Sequence, residues 1–520
     1  MSEPNTATAT PACSPPSAPG ATSAGARAPR RARRPRFSRV LGRLSAAPWI
    51  CWLVASINAV SWSFISPPFQ VPDEPSHFAY VKQLAETGST PTSSEERYSP
   101  EETLVLEAIK YEEVRQHPGT GTIASQAEQQ NLDEVLARVG RLPRQGSPGG
   151  GVATSEPPLY YALQSIPYML GSHGTALDRL QLMRLLSALI AGLTAVFAFL
   201  FLREALPAVR WAQTVGALAV AFSPLLGFMS GAVNPDSMLF AVSAALFYCL
   251  ARAFRHGLTL RSAVVLGLVI AVGFMTKLNF VGLVPGALVG LLLVAVRGAR
   301  ISGRRAVRAP ALAAAIGCLP PVALLIGNAL SHRSAFGIVS DTIKAAHGSA
   351  LDAASYIWQL YLPRLPGMAH DFPGIFTARQ IWFDGYIGRF GWLDTFFPSW
   401  VYTVALILAV AIAVLCARAL IVARRALRAR LAELAVYALM ALGVLVLVGA
   451  DSYLIFPRQL ASYGQARYLL PMLPLLGAVL ALAARGAGRR WGPAAGALIV
   501  TLFLAHDIFS QLQVIARYYG

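Results

Sequence analysis

Long apolar runs separated by short polar links dominate the chain, and those runs predict its elements. Segments near 44–65, 182–202, 211–230, 237–254, 262–277, 280–296, 309–329, 400–422, 432–450, 469–484 and 491–511 are each rich in Ala, Val, Leu and Ile. Each approaches the ~20 apolar residues needed to cross a bilayer core as a helix. The pattern predicts an all-α integral membrane protein with about eleven transmembrane helices.

Two gaps between runs are long, about 66–181 and 330–399. The first opens with Pro67-Pro68-Phe69-Gln70-Val71-Pro72-Asp73-Glu74-Pro75-Ser76-His77-Phe78. Pro75 suits a first helical turn, where its missing N–H is an orphan anyway, and Gly88 suits a left-handed C-terminus. Phe78, Val81 and Leu84 form one stripe between them, which predicts a short helix on the bilayer surface with Asp73 and Glu74 at its start. An acidic, polar middle follows (Glu95, Glu96, Glu101, Glu102, Glu112, Glu113), then Gly-Ser-Pro-Gly-Gly-Gly at 146–151, which predicts a flexible connection. Glu156-Pro157-Pro158-Leu159-Tyr160-Tyr161 leads into a second amphipathic piece ending at Gly171. The second long gap is aromatic (Tyr356, Trp358, Trp382, Tyr386, Trp392 and others), and aromatic belts account for part of that. Neither gap reads as an independent soluble domain, and no repeat of fixed period is evident.

Composition agrees: of 520 residues 55% are hydrophobic and only 13% charged, with a mean hydropathy of +0.51. The formal charge of +18 resembles a nucleic-acid signal, but its placement excludes that class. Arginines crowd residues 1–43, an Ala/Pro/Ser/Thr/Arg tail without apolar periodicity that predicts a disordered cytoplasmic extension. They recur in alternate links (Arg252/Arg255/Arg261, Arg297/Arg300/Arg304/Arg305/Arg308, Arg424/Arg425/Arg428/Arg430, Arg485/Arg489/Arg490), as the positive-inside rule requires. The expectation is a tail (1–43) and a polytopic domain (44–520) in the cytoplasmic (inner) membrane, N-terminus cytoplasmic and C-terminus extracytoplasmic. The five cysteines form no CxxC pair.

On that topology several chemistry-bearing residues share the outer side. Asp73 and Glu74 can deprotonate an acceptor hydroxyl or hold a divalent cation, Mg or Mn, against a phosphate; capping their helix is the plainer role. His77 lies four residues after Asp73. Asp236, in Asn234-Pro235-Asp236, is a second carboxylate at similar depth, or a cap. Lys277, between two apolar runs, can reach a lipid phosphate or snorkel. Arg467 grips phosphate oxygens in a fork or anchors at the interface. Glu156, Arg184, Arg389 and Asp394 are further candidates on that side. Acids for a hydroxyl and cations for a phosphate suit a transferase with a lipid-phosphate donor. No P-loop, GxGxxG, HExxH or GxSxG motif stands in a credible context.

Pro72-Asp73-Glu74-Pro75-Ser76-His77-Phe78, Pro157-Pro158-Leu159-Tyr160-Tyr161, Asn234-Pro235-Asp236, Thr276-Lys277 and Gln465-Ala466-Arg467-Tyr468 together resemble a family of bacterial polytopic proteins known as domain of unknown function 2142. That family in turn looks like the class C glycosyltransferases. The resemblance implies a polyprenyl-phosphate-linked sugar donor, flanking amphipathic juxtamembrane helices and a catalytic acidic motif just after the first span, here Asp73-Glu74. Transfer to an envelope glycan, lipid or protein is the expectation. A flippase or transporter of a lipid-linked saccharide, or a non-catalytic envelope-assembly protein, is the alternative; a transporter would place charges near mid-bilayer, often in repeated halves.

Overall fold

The computed structural model describes residues 46–520 apart from 94, 119, 123–124, 141, 331–349, 369–376 and 460–463. The basic tail lies outside the described residues, as does part of the second long loop.

Among the described residues, nine helices are long and apolar enough to cross a membrane. A bent pair adds a tenth, and the apolar Leu260–Thr276 is shorter. In chain order the helices named below are α1 (Ala46–Ile65), α2 (Glu74–Thr87), α3 (Pro100–Ala108), α4 (Gln126–Val139), α5 (Leu159–Leu170), α6 (Ala176–Ala205), α7 (Arg210–Ala221) and α8 (Pro224–Ser230). There follow α9 (Asp236–His256), α10 (Leu260–Thr276), α11 (Val284–Ser302), α12 (Arg308–Leu330), α13 (Ala350–Tyr361), α14 (Ser399–Val422), α15 (Leu431–Gln459), α16 (Leu473–Gly486) and α17 (Gly488–Tyr519). A two-stranded ribbon, Arg389–Phe390 against Thr395–Phe396, precedes α14. Each predicted apolar run thus corresponds to a helical segment. The α7–α8 pair bends by 52° at Phe222-Ser223, where Pro224 starts a new helix instead of continuing the old one.

Helix α6 is central, packing on α1, α7 and α9, while α10 pairs with α12 and α14 with α16. Small residues let backbones approach without a large side chain between them. A methyl group on Gly216 of α7 would collide with the Gly477 carbonyl of α16, and one on Gly443 of α15 with the Gly282 carbonyl.

The first long loop is a packed cap, not a polar excursion. Its core of Phe78, Val81, Val105, Leu132, Tyr160, Tyr161 and Tyr168 continues into Leu180 and Met183 of α6. Two acids of the polar middle are buried: Glu101 meets Lys82 Nζ at 2.5 Å and also pairs with Arg179, while Glu102 accepts from Ser99 and Ser147. Lys82 reaches Glu86 as well, and Tyr168 donates to Glu86 at 2.6 Å. Four elements, α2, α3, α5 and α6, are cross-tied by these contacts.

Two expectations change here. The helix foreseen on the bilayer surface is α2, with Gly88 left-handed at its end (φ 70°), but Glu74 through Lys82 are all buried because the cap folds over it. It is α5 that presents apolar side chains outward, at Ile166, Met169 and Leu170. The glycine-rich segment is packed as well. Ser147 is fully buried, and a Cβ on Gly151 (φ 50°) would come within 2.7 Å of Ser76 Oγ. These glycines serve close approach rather than flexibility.

Gly216→Val should lower the melting temperature of the detergent-solubilised protein, corresponding to about 1–3 kcal/mol of overpacking. An unchanged melting curve would show that α7 and α16 do not meet there.

Candidate functional site

All the site candidates but one gather at the end of the bundle opposite the arginine-rich links, and they sort into distinct layers. The inner layer is Glu74 with Arg184. Glu74 is fully buried. Its Oε1 accepts from Arg184 Nε (2.8 Å) and the Val233 N–H (2.9 Å), and its Oε2 from Arg184 Nη2 (2.5 Å) and the Phe69 N–H (2.9 Å). Arg184 in turn donates to the carbonyls of Ser63, Ser66 and Pro67, all within 3.0 Å. Every acceptor position of the carboxylate is occupied. Glu74 is therefore a tie between the end of α1, the head of α2, α6 and the turn before α9, and it has no oxygen left to receive a proton or bind a metal. This corrects the catalytic and metal roles expected of it.

Asp73, one residue earlier, faces the other way. It sits at the N-cap position of α2 but makes no capping bond, and its backbone is left-handed (φ 68°). Aspartate tolerates that region better than most residues, and such strain persists only where the surroundings hold it. The strain lets two successive carboxylates diverge, one into the core and one into the site. Asp73 Oδ2 accepts from Arg467 Nη2 at 2.7 Å, and its side chain keeps 27% exposure. Burial would raise this carboxyl, but Arg467, with Lys277 beyond it, holds it below the ordinary carboxylate value.

His77 is buried, its Nδ1 2.9 Å from the Tyr161 hydroxyl, and Tyr161 stacks on Tyr80 with ring centres 3.7 Å apart. Loss of solvent and the charge of Lys277 push His77 down to about 3, so the ring is neutral at pH 7. Lys277 donates to Asp236 Oδ1 at 2.8 Å and lies 3.9 Å from Glu156 Oε1. Glu156 also accepts from the Leu278 N–H, and burial, with Asp236 and Asp451 nearby, raises its carboxyl. Asp236 does not cap α9. Asn234 Oδ1 takes the Asp236 N–H at 3.0 Å, which frees the Asp236 side chain for Lys277. Lys277, expected to face a lipid phosphate or another buried group, meets two carboxyls.

Arg467 and Arg389 both line a small cleft whose wall includes Pro72, Phe228, Ile381 and Gln465, with no acidic side chain among its described lining residues. Asp394 stands apart. Its Oδ2 is bound to Arg517 at 2.9 Å and its Oδ1 to the Trp392 N–H, so it ties the ribbon turn to α17. Sequence reading passed over Asp451, although an acid near the end of an apolar run is a signal of its own. The divalent cation expected at Asp73 and Glu74 finds no fitting ligand set. Glu74 is saturated, and among the described residues no group of three His, Cys, Asp or Glu side chains is placed to hold an ion.

The profile of DUF2142, described as a predicted membrane protein, matches residues 56–476. The chain belongs to that family. No curated protein matches it. Among solved structures, this DUF2142 protein is similar to the apo crystal structure of the Archaeoglobus fulgidus oligosaccharyltransferase, at 12% identity and a TM-score of 0.42. The alignment covers 92% of this chain and 56% of that one, so the chain spans little more than half that protein's length.

Removing one partner of the inner pair, as in Glu74→Gln, should destabilise the protein by about 3–5 kcal/mol, since Arg184 would be left charged and buried. Thermal unfolding in detergent checks this, and a shift no larger than that of a surface control would contradict it. His77 carries a pH signature. Folded His77 stays neutral down to about pH 3 whereas the unfolded side chain protonates near 6.5, so between these values the unfolded state binds the extra proton. Stability should fall on acidification through that window, by up to about 1.4 kcal/mol per pH unit, and His77→Asn should flatten the dependence.

Proposed function

We propose that this protein is a membrane glycosyltransferase that moves a sugar from a polyprenyl-phosphate donor to a hydroxyl of an envelope acceptor at the outer face of the cytoplasmic membrane. The observation that carries this reading is the divergence of the two neighbouring carboxylates. Glu74 is spent on holding the fold, while Asp73 stays accessible, ionised and bound to an arginine at the edge of a basic cleft.

In this reading Arg467 and Arg389 receive the donor phosphate, because both line that cleft and an arginine fork matches phosphate oxygens. Asp73 takes the proton of the acceptor hydroxyl. The acceptor oxygen forms its bond to the sugar's anomeric carbon, the bond from that carbon to the phosphate oxygen breaks, and the electron pair leaves on the phosphate. A carboxylate held down by Arg467 is a weak base in the resting protein. A phosphate that draws Arg467 away removes that restraint and raises the affinity of Asp73 for a proton, so donor binding and base strength are coupled. His77, neutral and fixed by Tyr161, positions the site rather than shuttling protons at neutral pH.

Asp73→Asn should lower sugar transfer by about 10²–10⁴-fold, the range of general-base catalysis. Arg467→Ala should lower it by about 10²–10³-fold. Both are read as label transferred from a polyprenyl-phosphate sugar in proteoliposomes, and an Asp73→Asn protein working at the normal rate would sink the proposal.

A further inference from the structure

A ribbon of two residue pairs has too little structure of its own to hold a position, so the place of Arg389 is set from outside the ribbon. The turn between its strands carries Gly391 (φ 61°) and Leu393 (φ 67°) in the left-handed region. For leucine that conformation is costly, and it persists only where neighbours enforce it. Arg389, Gly391 and Leu393 all line the cleft that contains Arg467. The ribbon is therefore one wall of the candidate phosphate site, and whatever fixes the ribbon fixes that wall.

Helix α17 does the fixing. His506, Gln513 and Arg517 are spaced seven and four residues apart, so they share one helix face. His506 Nε2 donates to the Ile387 carbonyl just before the first strand, and Gln513 Nε2 to the Phe396 carbonyl of the second at 2.8 Å. Arg517 takes the turn. Its Nε donates to Asp394 Oδ2 at 2.9 Å, while Asp394 Oδ1 accepts from the Trp392 N–H at 3.1 Å and from Thr395 Oγ1 at 3.3 Å. The Arg517 and Asp394 side chains are only 7% and 9% exposed, so solvent screens the pair little. A Cβ on Gly391 would come within 2.7 Å of the Tyr518 hydroxyl, which places the turn directly against the end of α17. The other guanidinium nitrogens donate to the Thr120 carbonyl at 2.6 Å and the Val114 carbonyl at 3.2 Å, both in the first long loop. One guanidinium thus joins that loop to the ribbon that carries Arg389.

We propose that Arg517 is a positioning residue for phosphate binding, holding Arg389 at the cleft wall through Asp394. This rests on the transferase reading and deepens it, since in that reading the wall receives the donor phosphate. Arg517 meets no reacting atom and acts only through the ribbon. The loop that carries Asp73 is anchored separately by Glu74 and Arg184, and Gln70 keeps its own bond to the Trp392 indole at 3.0 Å. Cutting the Asp394–Arg517 tether therefore disturbs the turn and leaves the carboxylate in place. The loss falls on affinity for a phosphate, and only while Arg389 is present to be misplaced.

The test is a double-mutant cycle on the full-length protein in nanodiscs, titrated with tritiated geranylgeranyl phosphate and read as saturable binding above that of empty nanodiscs. Asp394→Asn keeps the shape of the side chain and an oxygen for the Trp392 N–H, but removes the charge that Arg517 meets. It should weaken binding about tenfold, and Arg389→Ala by a similar factor. In the Arg389→Ala background, Asp394→Asn should then change binding by no more than about twofold. Arg517→Lys keeps the positive charge but loses the fork, so it should repeat the Asp394→Asn result and stands in for that variant if it fails to fold. Losses that multiply across the cycle would overturn the proposal, because a merely structural defect weakens binding whether or not Arg389 is there. So would unchanged binding in both Asp394→Asn and Arg517→Lys, a loss in these with none in Arg389→Ala, or no saturable binding by the unaltered protein. Binding needs no turnover, so these outcomes are read apart from sugar transfer by Asp73→Asn, on which the transferase reading itself depends.

Discussion

The arrangement depends on one buried ion pair. Glu74 and Arg184 bring four parts of the chain to a single point: the carbonyl end of α1, the loop at Phe69, the body of α6 and the turn at Val233. An ion pair removed from water is a poor source of net stability, because desolvation opposes attraction, but its loss from one side is severe. Its value here is in placement. With every donor of the guanidinium and every lone pair of the carboxylate used, the loop at Pro67–Pro72 has one position available to it, and Asp73 is set by that position.

From this anchor the electrostatics divide. Toward one side stand Arg467 and Arg389, around a cleft with no acid among its described lining residues, and toward the other stands Lys277, matched by Asp236 and Glu156. Charges of both signs thus sit close together at low exposure.

The cap completes the isolation. Lys82, Glu86, Glu101, Arg179 and Tyr168 tie α2, α3, α5 and α6 together beneath it. Their mutual satisfaction explains how Glu101 and Lys82 are buried at all, since unpaired charges at that depth would unfold the cap. A closed cap also keeps water from His77 and Tyr161, and so keeps the site's dielectric low and its charge–charge interactions strong.

Hydropathy by itself determined the bundle: the runs, their order and the arginine-bearing links follow from what a bilayer tolerates, and neither packing nor partners are needed to read them. Proline and glycine likewise marked both ends of α2, because Pro75 and Gly88 act through local backbone geometry. What sequence could not decide was the difference between two adjacent acids. Asp73 and Glu74 look alike in a string, and only the left-handed turn at Asp73, imposed by contacts 110 and 394 residues away, sends one into the core and the other into the site. The same holds for Lys277, whose charge is offset by residues from two distant segments, and for Asp394, which is bound to Arg517 of α17. Polarity is a property of a residue, but whether a charge is spent or available is a property of its neighbours, and those are assigned by the fold.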